Sequence, residues 1–205
     1  MGLLQKTTQT VLLVKKEVKI MLNHIGTRKI ETERLILRAF TINDVDAVFD
    51  NWANDDDICK YMRWTKHKSK EETKKIVSKW IDSYREKSHY RWAIVLKKSD
   101  EPMGAIGLFV VNENDLCGDV GYYVSKKYWG QGIMTEALKA VLAFAFDTVG
   151  FNRIETCHSV NNPASGRVMQ KCGMTFEGLA RQKYKSNCGF EDSNMYSILK
   201  EDCMQ

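Results

Sequence analysis

Residues 120–138, VGYYVSKKYWGQGIMTEAL, combine the patterns of a strand, a glycine turn and a helix. Residues 120–124 are β-branched or aromatic apart from one glycine and alternate along the chain, which predicts a strand. From Met134 onward, apolar residues recur at helical spacing among good helix formers. Gly130 and Gly132 lie between these elements, where a missing side chain lets a ligand approach the backbone. The stretch therefore predicts a strand, a Gly-x-Gly turn and a helix in direct succession.

A junction of this kind presents free backbone N–H groups at the positive end of the helix dipole. That environment suits an anion, above all a phosphate or pyrophosphate. A tight turn without a ligand is the other interpretation of the two glycines. The stretch is not a Walker loop, because no Gly-Lys-Ser/Thr follows, and it lacks the third glycine of a dinucleotide fingerprint.

The charge of the chain is concentrated at one end. The 205 residues are 43% hydrophobic and 28% charged, as in an ordinary globular domain. The formal net charge of +5 lies in residues 1–30, which hold six Lys or Arg and one Glu. The rest of the chain is balanced, which argues against a general nucleic-acid binder with its clustered basic residues.

The six cysteines are scattered without a C-x-x-C pair or a metal-ligand spacing. They predict reduced thiols in a cytoplasmic protein and no metal site. Residues 1–26 are predicted to be an extension, with Met21 as an alternative start. The apolar run at residues 11–14 is too short to span a membrane and does not resemble a secretory signal. Residues 27–205 are predicted to form one domain.

Alternating patterns and turn residues predict the element order βααβββαβαββ. This order indicates an α+β fold with a mixed, mainly antiparallel sheet of about seven strands and flanking helices. The strands at residues 120–124 and 153–158 are predicted to be parallel because a helix connects them. Where two parallel strands part, a cleft opens at their carboxyl ends and commonly holds a ligand.

Three motifs resemble those of one family. Residues 127–135, KYWGQGIMT, resemble the acetyl-coenzyme A loop of the GNAT N-acetyltransferases. Residues 162–165, NPAS, and 171–174, KCGM, resemble the second signature of that family. Residues 31–38, ETERLILR, resemble the first strand of its ribosomal-protein N-terminal acetyltransferase branch. The resemblance covers about residues 30–200 and implies the GNAT fold, in which a splayed central parallel pair holds acetyl-coenzyme A.

The resemblance also implies how the coenzyme is held. Backbone N–H groups after Gly130 would bind the pyrophosphate, and the N–H of Val124 would polarise the thioester carbonyl. Lys127 stands where the family often has Arg or Gln, so its role is open. Asn162 would hydrogen-bond the coenzyme, with helix capping as its alternative role. The expected coenzyme contacts are Val124, Lys127, Gly130, Gln131, Gly132, Ile133, Met134, Thr135, Asn162 and Ser165.

The catalytic residues are only partly implied. Direct attack of the amine on the thioester is the economical mechanism once both reactants are bound. The resemblance assigns Ser165 to hydrogen bonding of the leaving thiolate. Many family members carry a Tyr four residues later, but Met169 stands there in this chain. Asp119 is the first candidate for the general base, and Glu155 and His158 are weaker ones. A structural role is the alternative for each.

The resemblance predicts an acetyl-coenzyme A-dependent N-acetyltransferase that acts on the N-terminal α-amine of a protein, with ribosomal proteins as the class. Trp64 is predicted to touch this substrate, with core packing as its alternative. Two other functions stay open: an N-acetyltransferase of small amines such as polyamines or antibiotics, and a non-catalytic acyl-coenzyme A sensor. Neither nucleic acid nor membrane is an expected partner. Exposed strand edges near the C-terminus would allow a homodimer.

Overall fold

A computed structural model describes residues 21–204 of the chain. In this part, eight strands form one sheet, and five α-helices flank it. The strands are β1 Ile30–Glu31, β2 Leu35–Arg38, β3 Tyr90–Leu96, β4 Pro102–Asn112, β5 Cys117–Val124, β6 Arg153–Ser159, β7 Thr175–Ser186 and β8 Gly189–Leu199. The helices are α1 Val45–Val48, α2 Asp56–Cys59, α3 Lys70–Ser83, α4 Ile133–Ala143 and α5 Pro163–Lys171.

The sheet has the strand order β1-β2-β3-β4-β5-β6-β8-β7. All neighbouring strands are antiparallel except β5 and β6, which are parallel. The α+β fold with one central parallel pair is therefore confirmed. The eighth strand is β1, whose two residues pair with β2. Two residues are too few to show the alternation from which strands are predicted.

The parallel pair separates after a short ladder. The pairs run from Cys117–Arg153 to Asp119–Glu155 and then stop. Strand β5 nevertheless continues to Val124, still paired with β4 on its other side. The last residues of β5 therefore expose one backbone edge toward the gap that β6 has left.

Two apolar clusters lie on the two faces of the sheet. Helix α4 contributes Leu138, which is fully buried with Val120 of β5 in the larger cluster. On the opposite face, Trp52 packs with Val77 of α3 and with partly buried Tyr123 of β5. Full burial of one such side chain stabilises the fold by roughly 2–3 kcal/mol. Val120 and Tyr123 are three positions apart on β5 and thus point into different clusters, as the alternation in a strand requires.

The segment before β1 contacts the domain. Leu22 is buried in the larger apolar cluster. The N–H of Asn23 donates to Val149 O at 2.8 Å, and the N–H of Gly26 donates to Lys87 O at 2.8 Å. Residues 22–26 of the predicted extension thus pack on the body, whereas residues 1–20 lie outside the described part. The division of the chain at residue 26 stays a prediction. No helix within residues 21–204 is long and apolar enough to cross a membrane.

Candidate active site

The hydrogen-bond alternation between β4 and β5 determines which backbone groups face the gap. Ser125 N–H donates to Met103 O at 2.8 Å, so the neighbouring pair Gly104–Val124 is a non-hydrogen-bonded pair. The N–H and C=O of Val124 therefore point away from β4. Trp129 agrees with this orientation, because its Nε1 donates to Val124 O at 2.9 Å. Val124 thus presents its N–H on the edge of β5 that β6 leaves open.

The same alternation applies two and four residues earlier. Tyr122 and Val120 also occupy non-hydrogen-bonded positions opposite β4, so their backbone groups face the side of β6. Thr156 of β6 donates from Oγ1 to Val120 O at 2.7 Å and spans the gap where it begins. Beyond this bond, the N–H groups of Tyr122 and Val124 form a short row of donors along the open edge.

The glycine loop ends at the N-terminus of α4. Gly130 and Gly132 both have φ of +74°, a left-handed conformation that favours glycine. A Cβ at Gly130 would meet no atom within 4 Å, so backbone conformation, not space, requires the glycine there. Gly132 is the N-cap of α4, and no side chain caps the helix. The N–H groups of its first turn, which have no intrahelical partner, remain available to an anion.

An acidic residue in this first turn would oppose an anion, but its charge is compensated. Glu136 accepts hydrogen bonds from the Thr32 hydroxyl and from the backbone N–H of Arg34, and its carboxylate pairs with Arg34 Nε at 2.6 Å. Burial alone would raise the pKa of Glu136, but these bonds lower it overall. Arg34 Nη1 also donates to Gln131 O at 3.0 Å. The segment before β2 therefore holds both the loop and the start of α4.

The lysines before the loop point elsewhere. Lys126 Nζ pairs with Asp57 at 2.6 Å and with Asp55 at 3.2 Å. Lys127 Nζ lies 3.4 Å from Asn51 Oδ1, while its carbonyl accepts a hydrogen bond from the side chain of Gln131 at 2.7 Å. Lys127 thus contributes to the loop through its backbone. A contact of its ammonium group with the coenzyme stays a prediction.

A cavity of about 310 Å³ lies where the strands part. It brings together five residues that the sequence analysis proposed, namely Trp64, Asp119, His158, Asn162 and Ser165. The loop residues and Glu155 do not line it. Its other lining residues are Tyr61, Met62, Arg63, Phe109, Val120, Gly121, Tyr122, Thr156, Cys157, Ser159, Met169 and Tyr184.

Asp119 has the ionisation expected of a base. Burial, with a further contribution from the negative charge of Glu155, raises the pKa of Asp119 to about 6. A carboxylate with this pKa is mostly ionised at neutral pH and is more basic than an ordinary Asp. Glu155 is itself engaged by Arg153 at 3.3 Å, and Arg153 also pairs with Glu177 at 2.6 Å. Of the two carboxylates, Asp119 is the one that lines the cavity.

The third candidate base, His158, lies on the face of β6 opposite to Glu155. Its Nδ1 is 2.8 Å from Ser159 O, which fixes this nitrogen as the donor. The other edge of the ring lies against α5, where a Cβ on Gly166 would overlap His158 Nε2 at 2.4 Å. His158 is thus a buried, packed residue at the wall of the cavity. Gly166 allows the ring and the helix to approach each other.

A tyrosine that the sequence analysis did not propose lies beside Ser165. Ser165 Oγ donates to Tyr122 Oη at 3.1 Å, and Tyr122 Oη donates to the carbonyl oxygen of Ser165 at 3.1 Å. Burial raises the pKa of Tyr122 well above its usual range, so the phenol stays protonated. Met169 occupies the position of the missing family tyrosine and is buried. Tyr122 could have been found from its alternation with Val120 and Val124, which points it to the α4 side of the sheet.

Asn162 and Trp64 line the cavity in different ways. Asn162 precedes α5, yet its side chain makes no capping hydrogen bond to that helix, so its alternative role is not observed. Trp64 packs against Tyr123 with 5.7 Å between ring centroids, and against His67 at 5.8 Å. The indole therefore belongs partly to the core and partly to the cavity wall.

Comparison with known proteins agrees with this geometry. An N-acetyltransferase of Bacillus subtilis, YoaA, is 31% identical over 171 residues, which is 83% of this chain and 96% of that protein. The ribosomal-protein-serine acetyltransferase of Escherichia coli is 25% identical over 174 residues, covering 81% of this chain and 93% of that protein. The crystal structure of a GNAT acetyltransferase from Bacillus anthracis superposes with a TM-score of 0.74 at 27% identity, covering 85% and 99% of the two chains.

A family model adds the assignment of the whole domain. The acetyltransferase (GNAT) domain matches residues 34–175, which include β2, the glycine loop, β6 and α5. These elements carry the open strand edge, the uncapped helix and the cavity. The protein therefore belongs to the GNAT acetyltransferase family, is an N-acetyltransferase, and uses acetyl-coenzyme A as its cosubstrate.

Proposed function

We propose that the protein transfers an acetyl group directly to the α-amine of a protein N-terminus. The observation that carries the proposal is the separation of β5 from β6 after the pair Asp119–Glu155. It opens backbone donors of β5 on one side of a cavity and leaves the carboxylate of Asp119 on its wall. Donors for a carbonyl oxygen and an acceptor for a proton are what amine acetylation requires.

The chain offers a suitable set of groups for acetyl-coenzyme A. The uncapped first turn of α4 and the left-handed glycines at 130 and 132 suit the pyrophosphate. The N–H of Val124 faces the gap and would donate to the thioester carbonyl. Asn162, with its amide free of the helix cap, would bond the coenzyme arm. Acetyl-coenzyme A supplies the acetyl group as an activated thioester.

Asp119 acts as the base in this proposal. An α-amine has an ordinary pKa near 8 and is mostly protonated at neutral pH, so it must lose a proton before it attacks. Asp119 accepts this proton, directly or through a water molecule. The amine nitrogen then forms a bond to the acetyl carbon while the carbon–sulfur bond breaks. The products are the acetylated amine, the free thiol of the coenzyme and one proton.

Ser165 and Tyr122 provide the hydrogen bond for the leaving sulfur. Their hydroxyl groups are linked at 3.1 Å, and the buried phenol remains protonated. A free serine hydroxyl is a weak acid, but a hydroxyl that donates to the departing thiolate stabilises its charge in the transition state. The proton of the thiol then comes through this pair or from solvent.

Two arguments support a protein N-terminus as the acceptor. The Escherichia coli relative is named for acetylating a serine of a ribosomal protein, and it matches over most of both chains. An acidic cavity would favour a polyamine, but the lining of this cavity includes the cation of Arg63 as well as the carboxylate of Asp119. Ribosomal proteins as the class, a cytoplasmic location and a homodimer all stay predictions, as does the expectation that nucleic acid is not a partner.

The proposal is tested by thiol release from acetyl-coenzyme A with a panel of acceptors. We expect turnover with peptides that have a free α-amine and none when the same amine is formylated. Spermidine and an aminoglycoside serve as the small-amine arms. Turnover with a small amine alone would contradict a protein acceptor. Tight acetyl-coenzyme A binding without turnover of any acceptor would favour the sensor function instead.

A further inference from the structure

A cation lines the same cavity as the proposed base. Arg63, in the loop between α2 and α3, lines the cavity together with Asp119. Its guanidinium lies 5.1 Å from the centroid of the Tyr184 ring. Tyr184 Oη in turn donates to Tyr61 O at 3.1 Å, which ties β7 to the loop that carries Arg63. The guanidinium therefore rests on an aromatic ring that is held in place.

Arg63 forms no salt bridge with any carboxylate of residues 21–204, Asp119 included. Its planar guanidinium is thus available to a ligand, and this shape suits a carboxylate, which can accept two parallel hydrogen bonds.

A second cation reinforces this charge. Lys183 of β7 is next to Tyr184 and exposed. Although burial and Glu155 raise the pKa of Asp119 overall, the charges of Lys183 and Arg63 both act to lower it. Both cations are therefore within electrostatic reach of Asp119. The cavity wall therefore carries the carboxylate of Asp119 and the cation of Arg63, and Lys183 adds its charge from outside the lining.

This arrangement is complementary to an acceptor with charges of both signs. Asp119 attracts the ammonium group that will react, and Arg63 attracts an anion on another part of the same acceptor. A polycation such as spermidine would place its second charge near Arg63 and be repelled. An acceptor with a carboxylate near its amine would instead pair favourably with both Asp119 and Arg63.

We propose that Arg63 makes the enzyme select acceptors that carry a carboxylate close to the reacting amine. In a protein N-terminus, this carboxylate is an acidic side chain in the first two residues. In a free amino acid, it is the α-carboxylate. The inference rests on the proposed acetylation of an α-amine and specifies which amines the same site accepts.

The test uses three peptides that begin Ser-Asp, Ser-Asn and Ser-Lys, are otherwise identical, and end in an amide. For the wild type, we expect kcat/KM to be about fivefold higher for Ser-Asp than for Ser-Asn, mainly through KM, because exposed charge pairs are modest. Ser-Lys should be the poorest of the three. The preference should fall as salt is raised, since screening weakens exposed charge pairs.

Variants assign the preference to Arg63. Arg63→Gln should remove the discrimination between Ser-Asp and Ser-Asn, and Arg63→Glu should reverse the order of Ser-Asp and Ser-Lys. Arg85→Gln is the matched control, because Arg85 follows α3 and, among residues 21–204, pairs only with exposed Asp82 at 3.8 Å. This control should keep the wild-type preference. Thermal melting verifies that each variant is folded.

The outcomes separate the two proposals. Equal kcat/KM for Ser-Asp and Ser-Asn in the wild type would overturn the role of Arg63 while leaving N-terminal acetylation intact. An acidic preference that survives in Arg63→Glu would overturn it as well. The wild type could acetylate free aspartate or serine but no peptide. If Arg63→Glu then loses this activity, the result would support the role of Arg63 and contradict the protein acceptor. Failure of every α-amine would overturn both proposals.

Discussion

Asp119 of β5 and Glu155 of β6 form the last pair of the parallel ladder, directly before the strands separate. Registered residues of neighbouring strands share a face, so two carboxylates approach each other at this point. Burial and this like charge together raise the pKa of Asp119 to about 6. Arg153 holds Glu155 in an ion pair at 3.3 Å. The separation point of the sheet therefore carries a carboxyl group whose pKa is raised toward neutral pH.

The activity should depend on the ionisation of Asp119. A base works only when it is ionised, so kcat/KM should rise with pH through an inflection near the Asp119 pKa of about 6. Asp119→Asn should lower kcat by about 100-fold or more and remove this inflection. Asp115→Asn, at an exposed turn position, is the control and should behave as the wild type. Full turnover in Asp119→Asn would show that another group is the base.

The same pKa predicts a change in stability. The pKa of Asp119 is about 6 in the folded protein, above the ordinary value of 3.8 for an Asp side chain, so ionisation of the folded protein costs stability as the pH rises between these values. The cost is absent below pH 4 and complete above pH 6. The substitution Asp119→Asn removes this cost. The change that it makes in the free energy of unfolding, relative to the wild type, should therefore be more favourable at pH 7 than at pH 4, by at most about 3 kcal/mol. Urea unfolding of the wild type and the variant at both pH values measures this difference, and a stability change on Asp119→Asn that is no more favourable at pH 7 than at pH 4 would contradict it.

Ser165 and Tyr122 should act as one unit. Their hydroxyl groups are hydrogen-bonded at 3.1 Å, so removal of either disturbs the donor to the leaving sulfur. Ser165→Ala and Tyr122→Phe should each lower kcat by about tenfold, and the double variant by little more than either one. The Kd for acetyl-coenzyme A should change by less than about threefold. Fully multiplicative effects on kcat would show that the two groups act independently.

Gly132 should be needed for coenzyme binding more than for folding. An Ala at its φ of +74° is strained by about 1–2 kcal/mol and would shift the first turn of α4. Gly132→Ala should weaken acetyl-coenzyme A binding by about tenfold or more, measured by calorimetry. Gly150→Ala is the matched control, because Gly150 also has a positive φ, of +92°, but lies after the π-helical segment Phe144–Val149 that follows α4. It should lose similar stability without losing affinity, and equal losses of affinity would contradict the role of the loop.

The order of elements could be predicted because local patterns agree with the final packing. The strand at residues 120–124 and the helix beginning near Met134 were both recognised from spacing alone, and the crossover connection correctly predicted the parallel pair. Helix α2 was missed, since two of its four residues, Asp56 and Asp57, belong to a run of three acids that resembles the solvated end of a helix. Asp55 instead caps α2, accepting a hydrogen bond from Asp57 N at 2.9 Å.

The candidate site could be predicted only in part, because it is assembled from distant segments. Ser165, Asn162 and Asp119 were proposed from motif and position, and the cavity brings them together. Tyr122 was overlooked because its partner lies 43 residues away. Arg63 could not be assigned either, since nothing in the local sequence shows that the loop after α2 reaches Tyr184 of β7.

The central claim is that an α-amine accepts the acetyl group. It is tested most directly by locating the acetyl group on a peptide that contains both a free N-terminus and an internal lysine. The peptide is incubated with acetyl-coenzyme A and the enzyme, and tandem mass spectrometry identifies the modified residue. The account predicts acetylation of the N-terminal amine, with little product when Asp119→Asn replaces the wild type. Acetylation of the lysine side chain alone, or equal product from Asp119→Asn, would contradict it.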